Sequence, residues 1–107
     1  MISQIRNDLR EIRYYYRHQE LFEGADKIIG ENRVVKLAKK YNGIMCKALP
    51  RLYDLYYQLY IVGLTQLSYA RISAYALDSI QKLHTQLLIY LEREINKEVE
   101  EECRESS

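Results

Sequence analysis

Apolar side chains recur at steps of three and four along nearly the whole chain, and helix interrupters are few: one Pro, at 50, and four Gly, at 24, 30, 43 and 63. A period near 3.6 places such side chains on one stripe of a helix, whereas a half-buried strand needs alternation. Ile2, Ile5, Leu9, Ile12 and Tyr16 predict an amphipathic helix reaching about Phe22, with Ser3 as its N-cap. Val34, Leu37, Ala38, Tyr41, Ile44, Met45 and Ala48 predict a second, capped by Asn32, after a link that Gly24 and Gly30 bracket around Ile28 and Ile29. Gly43 inside it costs roughly 1 kcal/mol relative to Ala, so a kink or a close helix contact is expected there.

Pro50 suits the first position of a helix, where its missing N–H has no partner to lose. That helix is predicted to run to about Val62, burying Leu52, Leu55, Tyr56, Leu59 and Tyr60, and to stop at Gly63. Thr65 then caps a short helix to about Ser73, and a break at Ala74 to Ala76 precedes a long last helix. Its stripe of Ile80, Leu83, Leu87, Leu88, Leu91, Ile95 and Val99 outlasts a small three-helix core, so it is expected to cover the N-terminal helices or a second subunit. The tail EVEEECRESS is too polar to bury and is expected to fray, at 100–107 above all. The fold class is therefore all-α: one domain of four or five helices, with an N-terminal helical pair over 1–49 leading into residues 50–91.

The 107 residues carry 16 Lys and Arg against 15 Asp and Glu, so net charge argues for neither a nucleic-acid nor a membrane-surface partner. Distribution says more: residues 1–51 are net basic and 52–107 net acidic. Arg6, Arg10, Arg13 and Arg17 form a stripe on the first helix, with Asp8 and Glu11 near enough to neutralise part of it, and Lys36, Lys39, Lys40 and Lys47 share helical spacing on the second. Both stripes also read as solvated faces. Cys46 and Cys103 lack a CxxC partner and a leading signal peptide, so free thiols and a cytoplasmic location are expected, with Cys46 packed as a small apolar residue. No apolar run approaches the roughly 20 residues needed to span a bilayer, so no membrane partner is expected.

His18 and His84 have no second ligand at helical spacing, no nucleophile–base–orienter set can be assembled, and no Gly-rich phosphate loop occurs. No metal, cofactor or enzymatic activity is expected. The eleven Tyr invite a base-stacking reading, but consecutive tyrosines on a helix point in different directions. The plainer expectation is one or two of each group in the core and the rest at its edge, hydroxyls in water.

In residues 50–91, PRLYDLYYQLYIVGLTQLSYARISAYALDSIQKLHTQLLIYL, the order helix, Gly63, Thr65-capped short helix, three-residue turn and longer helix is that of a helix-turn-helix. This segment resembles region four of bacterial sigma factors and the related small phage regulators of the RinA and ArpU type. Tyr60, Gly63, Thr65, Gln66, Ala70, Tyr75, Ile80, Leu83, His84 and Leu88 stand where that pattern places them, without an insertion. Ala74 departs from the usual turn Gly, Ala76 from the usual Ser or Thr cap, Ser73 from an apolar residue, and Leu67–Ser68 from an acidic pair, so the last helix is expected to begin as late as Asp78 or Ser79.

The resemblance implies a small, phage-derived DNA-binding transcriptional regulator, with double-stranded DNA as partner and RNA polymerase or another protein as a second; a homodimer is expected because one such helix buries little surface for specific binding. The implied DNA face is Asp78, Ser79, Gln81, Lys82, Thr85 and Gln86, beside Leu77, with Arg71 from the preceding helix. Gln81 and Gln86 are suited to adenine, Lys82 and Arg71 to phosphate. The face has one base and one acid, which is little charge for phosphate neutralisation. The alternative is a non-enzymatic helical interaction or assembly module that has this fold without DNA binding.

Overall fold

The computed structural model describes residues 2–18 and 33–105, with side chains as far as residue 98. Among the described residues there are five α-helices and no strand: α1 (Ile2–Arg17), α2 (Arg33–Met45), α3 (Pro50–Tyr56), α4 (Gln66–Ser73) and α5 (Leu77–Glu105). A π-helical segment, Tyr57–Val62, continues α3 directly. Periodicity predicts an all-α domain of four or five helices, and the observed fold is all-α with five. Residues 19–22 of the first predicted helix, the link with Gly24, Ile28, Ile29 and Gly30, and the Asn32 cap lie outside the described residues.

All five helices feed a single buried cluster. It takes Ile5, Leu9, Ile12 and Tyr15 from α1, Ala38, Tyr41 and Met45 from α2, Leu52, Leu55 and Tyr56 from α3, Tyr69 and Ala70 from α4, and Ile80, Leu87, Leu91 and Ile95 from α5. The long stripe of α5 packs against α1, α2, α3 and α4, so the N-terminal helices account for its length. In α1 the stripe is closed by Tyr15, three residues past Ile12, while Tyr16 sits half-buried at its edge. Ser3 lies within α1 rather than capping it, because the helix already includes Ile2.

Other expectations are revised on physical grounds. A Cβ added at Gly43 would meet nothing within 4 Å, so no close helix contact requires the glycine. The second helix ends at Met45, which leaves Cys46 exposed in the following turn, its thiol donating to the Gly43 carbonyl at 3.0 Å rather than packing in the core. EVEEECRESS is helical to Glu105: it has no Pro or Gly, and Glu propagates a helix that the core has already nucleated. Its last two residues, and the side chains of Val99 and Cys103, are outside the description. Asp8 does not neutralise the arginine stripe but is itself buried, accepting from Tyr41 Oη and Gln4 Nε2, each at 2.8 Å. Glu11 lies 4.0 Å from Arg33, an exposed pair that contributes little.

Tyrosine hydroxyls tie the helices together. Asn42 of α2 donates to Tyr16 of α1 at 2.8 Å and accepts from Tyr56 of α3 at 2.7 Å. Tyr90 of α5 donates to the Ile44 carbonyl at 3.1 Å, and Tyr69 of α4 to Asp54 of α3 at 2.5 Å. Burial, then the Asp8 carboxylate, pushes the Tyr41 hydroxyl far above the usual tyrosine range, so it stays a donor at any ordinary pH. The hydroxyls expected in water are, at these positions, bonded to the protein.

Candidate nucleic-acid interface

The path into the last two helices is set by backbone geometry at Gly63, Thr65 and Ala74. Gly63 takes the left-handed conformation (φ 94°), and its N–H and that of Leu64 both close on the Gln58 carbonyl, at 3.1 and 2.9 Å. Thr65 caps α4 by accepting from the Ser68 N–H at 3.1 Å, as its position predicts. Ala74 ends α4 in the left-handed region (φ 61°), where glycine is the usual residue and an L side chain costs about 1 kcal/mol. An alanine thus holds the left-handed position that closes α4. The Ala76 carbonyl accepts from Ile80 N–H at 3.2 Å, so α5 begins at Leu77 rather than at Asp78 or Ser79, with no capping side chain. Asp78 stands in the first turn, where its charge favours the positive end of the helix dipole.

Across this turn α4 packs on α5, and Tyr69, Ala70 and the fully buried Ile80 join the same core cluster, with Leu83 half-buried against it. Every residue of the expected contact face is exposed: Asp78, Ser79, Gln81, Lys82, Thr85 and Gln86 over the first three turns of α5, and Arg71 on α4. Thr85 turns its hydroxyl back onto the Gln81 carbonyl at 3.1 Å, which satisfies it within the helix. Leu67, Ile72, Tyr75 and Leu77 are also exposed around the turn.

No family model, curated protein or solved structure matches the chain. Among the described residues no three His, Cys, Asp or Glu side chains are grouped to hold a metal, and no helix is long and apolar enough to cross a membrane.

The arginine stripe of α1 divides by role. Arg13 donates to the Gly63 carbonyl at 2.9 Å and so fastens α1 to the end of the π-helical segment, its Nε buried without a partner. Arg6 and Arg10 instead line a cleft with Tyr60, Gln66 and His84, drawing on α1, the π-helical segment, α4 and α5. A second cleft, between the start of α3 and the α4–α5 turn, contains Arg51 together with Asp54, and Arg51 stacks over the Tyr75 ring at 5.8 Å. The spacing of Arg6 and Arg10 marks them as a pair; that the fold carries them to the start of α4 is a long-range fact that no local pattern contains.

His84 sits half-buried against Tyr60, with Nε2 2.5 Å from the hydroxyl. Burial, offset in part by Arg13, Arg6 and Arg10, raises the Tyr60 hydroxyl to about 12, so Tyr60 stays protonated and shares a hydrogen bond with His84 Nε2 whose direction follows the imidazole tautomer. Burial and then the Arg6 charge hold His84 below its usual value. Below about pH 6.5 the unfolded chain takes up a proton that the folded imidazole refuses, so stability present above that pH is lost as the pH falls towards the depressed folded value. His84→Gln retains an acceptor for Tyr60 and removes this titration. Thermal midpoints at pH 7.5 and 5.5 are expected to fall further for the wild type than for the variant; equal declines would show that His84 is not linked to folding.

Proposed function

We propose that the protein is a small DNA-binding regulator whose α4–turn–α5 unit acts as a helix-turn-helix, with the first turns of α5 in the major groove. The observation that carries this reading is the uncovered face of α5: Asp78, Ser79, Gln81, Lys82, Thr85 and Gln86 face solvent while Ile80 and Leu87 anchor the same turns in the core. A helix so held presents side chains to base edges at low cost in order, because its backbone is already fixed. Gln81 and Gln86 offer the bidentate amides that suit adenine, and Lys82 and Arg71 offer cations to the flanking phosphates. Asp78 works against phosphate approach. The likeness of residues 50–91 to sigma region four and to RinA/ArpU-type regulators supports the same reading. Transcription control, RNA polymerase contact and a phage origin belong to it, as does a homodimer, since one such helix buries too little surface for tight specific binding.

A second reading rests on a different observation. Leu67, Ile72, Tyr75 and Leu77 leave an apolar rim around the turn, which fits a protein-interaction or assembly module.

A shift assay on random duplex DNA at low salt, run beside a measurement of oligomeric state, separates the two. DNA binding is expected to weaken steeply with salt, and Lys82→Ala to weaken it on all sequences while lowering the salt slope by about one. Gln81→Ala is expected to reduce sequence discrimination with the slope unchanged. No retention at low salt, together with a stable dimer that buries residues 77–86, would leave the interaction module as the function.

A further inference from the structure

The cleft formed by Arg6, Arg10, Tyr60, Gln66 and His84 is not used by the contact face of α5, and its electrostatics are unbalanced. Arg6 and Arg10 are one turn apart on α1, about 6 Å along the axis, so both guanidinium groups reach the same space. Like charges at this spacing repel, and neither arginine has a carboxylate within ion-pair distance among the described residues. Both charges reach the Tyr60 hydroxyl electrostatically, and that of Arg6 reaches His84, so the side chains that line the cleft with them feel the arginine charge. The Gln66 side chain, at the first position of α4, offers a neutral amide donor, and the His84 imidazole lines the same cleft. The first-turn amides of α4 add the positive end of its dipole. The cleft has a volume of about 310 Å³, room for a tetrahedral oxyanion and its waters. Nothing acidic lines it.

We propose that this cleft is a phosphate site, in which Arg6 and Arg10 clamp the oxygens of one group while the Gln66 amide donates to it and His84 lines the site. Resting on the DNA-binding reading, the occupant is a backbone phosphodiester beside the groove that α5 enters. The charge that the α5 face lacks is then supplied by the first helix, 60 residues and more away in sequence, and the N-terminal half becomes part of the DNA-binding surface. Free inorganic phosphate presents the same oxygens and is the other source of this chemistry.

The test uses the full chain with Arg6→Gln and Arg10→Gln combined, both at exposed positions of a helix whose buried face is untouched, and Arg17→Gln as a control outside the cleft. Duplex binding is read across a salt series, and inorganic phosphate is titrated against the amide signals of Gln66 and His84. The double variant is expected to bind random duplex about tenfold or more weaker, with a salt slope smaller by about one, while Arg17→Gln changes little. Wild-type affinity and slope in the double variant would overturn the site and leave the DNA reading standing. If the wild type ignores duplex but inorganic phosphate moves the Gln66 and His84 signals, and does so only with both arginines present, the DNA reading fails and the site stands as a free-phosphate site. If neither probe binds, both are overturned.

Discussion

Tyr41→Ala is expected to lower folding stability by about 3–5 kcal/mol, among the largest effects of any single substitution in this chain. The side chain is fully buried between α1 and α3, and it is one of two groups that satisfy the Asp8 carboxylate. The two contributions separate experimentally. Tyr41→Phe keeps the ring and removes the hydroxyl, leaving a buried carboxylate oxygen short of a donor, which costs about 1–3 kcal/mol. Adding Asp8→Leu to Tyr41→Phe removes the orphaned acceptor as well and is expected to restore part of the loss, since replacing both partners of a buried bond is often close to neutral. Urea midpoints with unchanged slopes would report these differences directly. If Tyr41→Phe matches the wild type, Asp8 is not held in the way the 2.8 Å bond implies.

Ile80→Ala is the second large effect, about 2–5 kcal/mol. Ile80 has no exposed surface and stands in the first turns of α5, the helix on which α4 packs. Truncating it opens a cavity under the α4–α5 turn, where an eight-residue helix ends on an alanine in the left-handed conformation. Leu77→Ala, three residues earlier on the exposed side, is expected to change stability little. A variant at Ile80 that loses DNA binding at temperatures where it remains folded would tie function to the seating of α5. A loss below about 0.5 kcal/mol would contradict the packing described between α4 and α5.

How much of this was legible in the chain depends on the range of the interaction. Helix positions followed from short-range patterning: Pro50 at a first position, Gly63 and Thr65 around one turn, and stripes at steps of three and four each act within a few residues. The π-helical segment at Tyr57–Val62 carries no such signal, because its apolar spacing is compatible with an α-helix and its wider turn is selected by packing against α1. Asp8 shows the same limit: spacing places it beside arginines on its own helix, but the partner that defines it is Tyr41, 33 residues on. The tyrosines offered a compositional hint. Eleven Tyr against one Phe and no Trp is a choice of hydroxyls over plain rings, and six of them, Tyr16, Tyr41, Tyr56, Tyr60, Tyr69 and Tyr90, use the hydroxyl to join helices. The contact face of α5 could be named from spacing because exposure follows helical phase, whereas the Arg6–Arg10 cleft depends on how α1 docks.

The docking of α1 on the end of the π-helical segment bears on portability. Residues 50–91 look like a cassette that could be lifted out and fused elsewhere, yet Leu87, Leu88 and Leu91 of that segment are buried in the cluster that holds Ile5, Leu9 and Ile12. Excision would strip the shelter from that face and release the Gly63 carbonyl from Arg13. A transplant of the α4–α5 unit must carry α1 with it, so that the helix and its seat stay together.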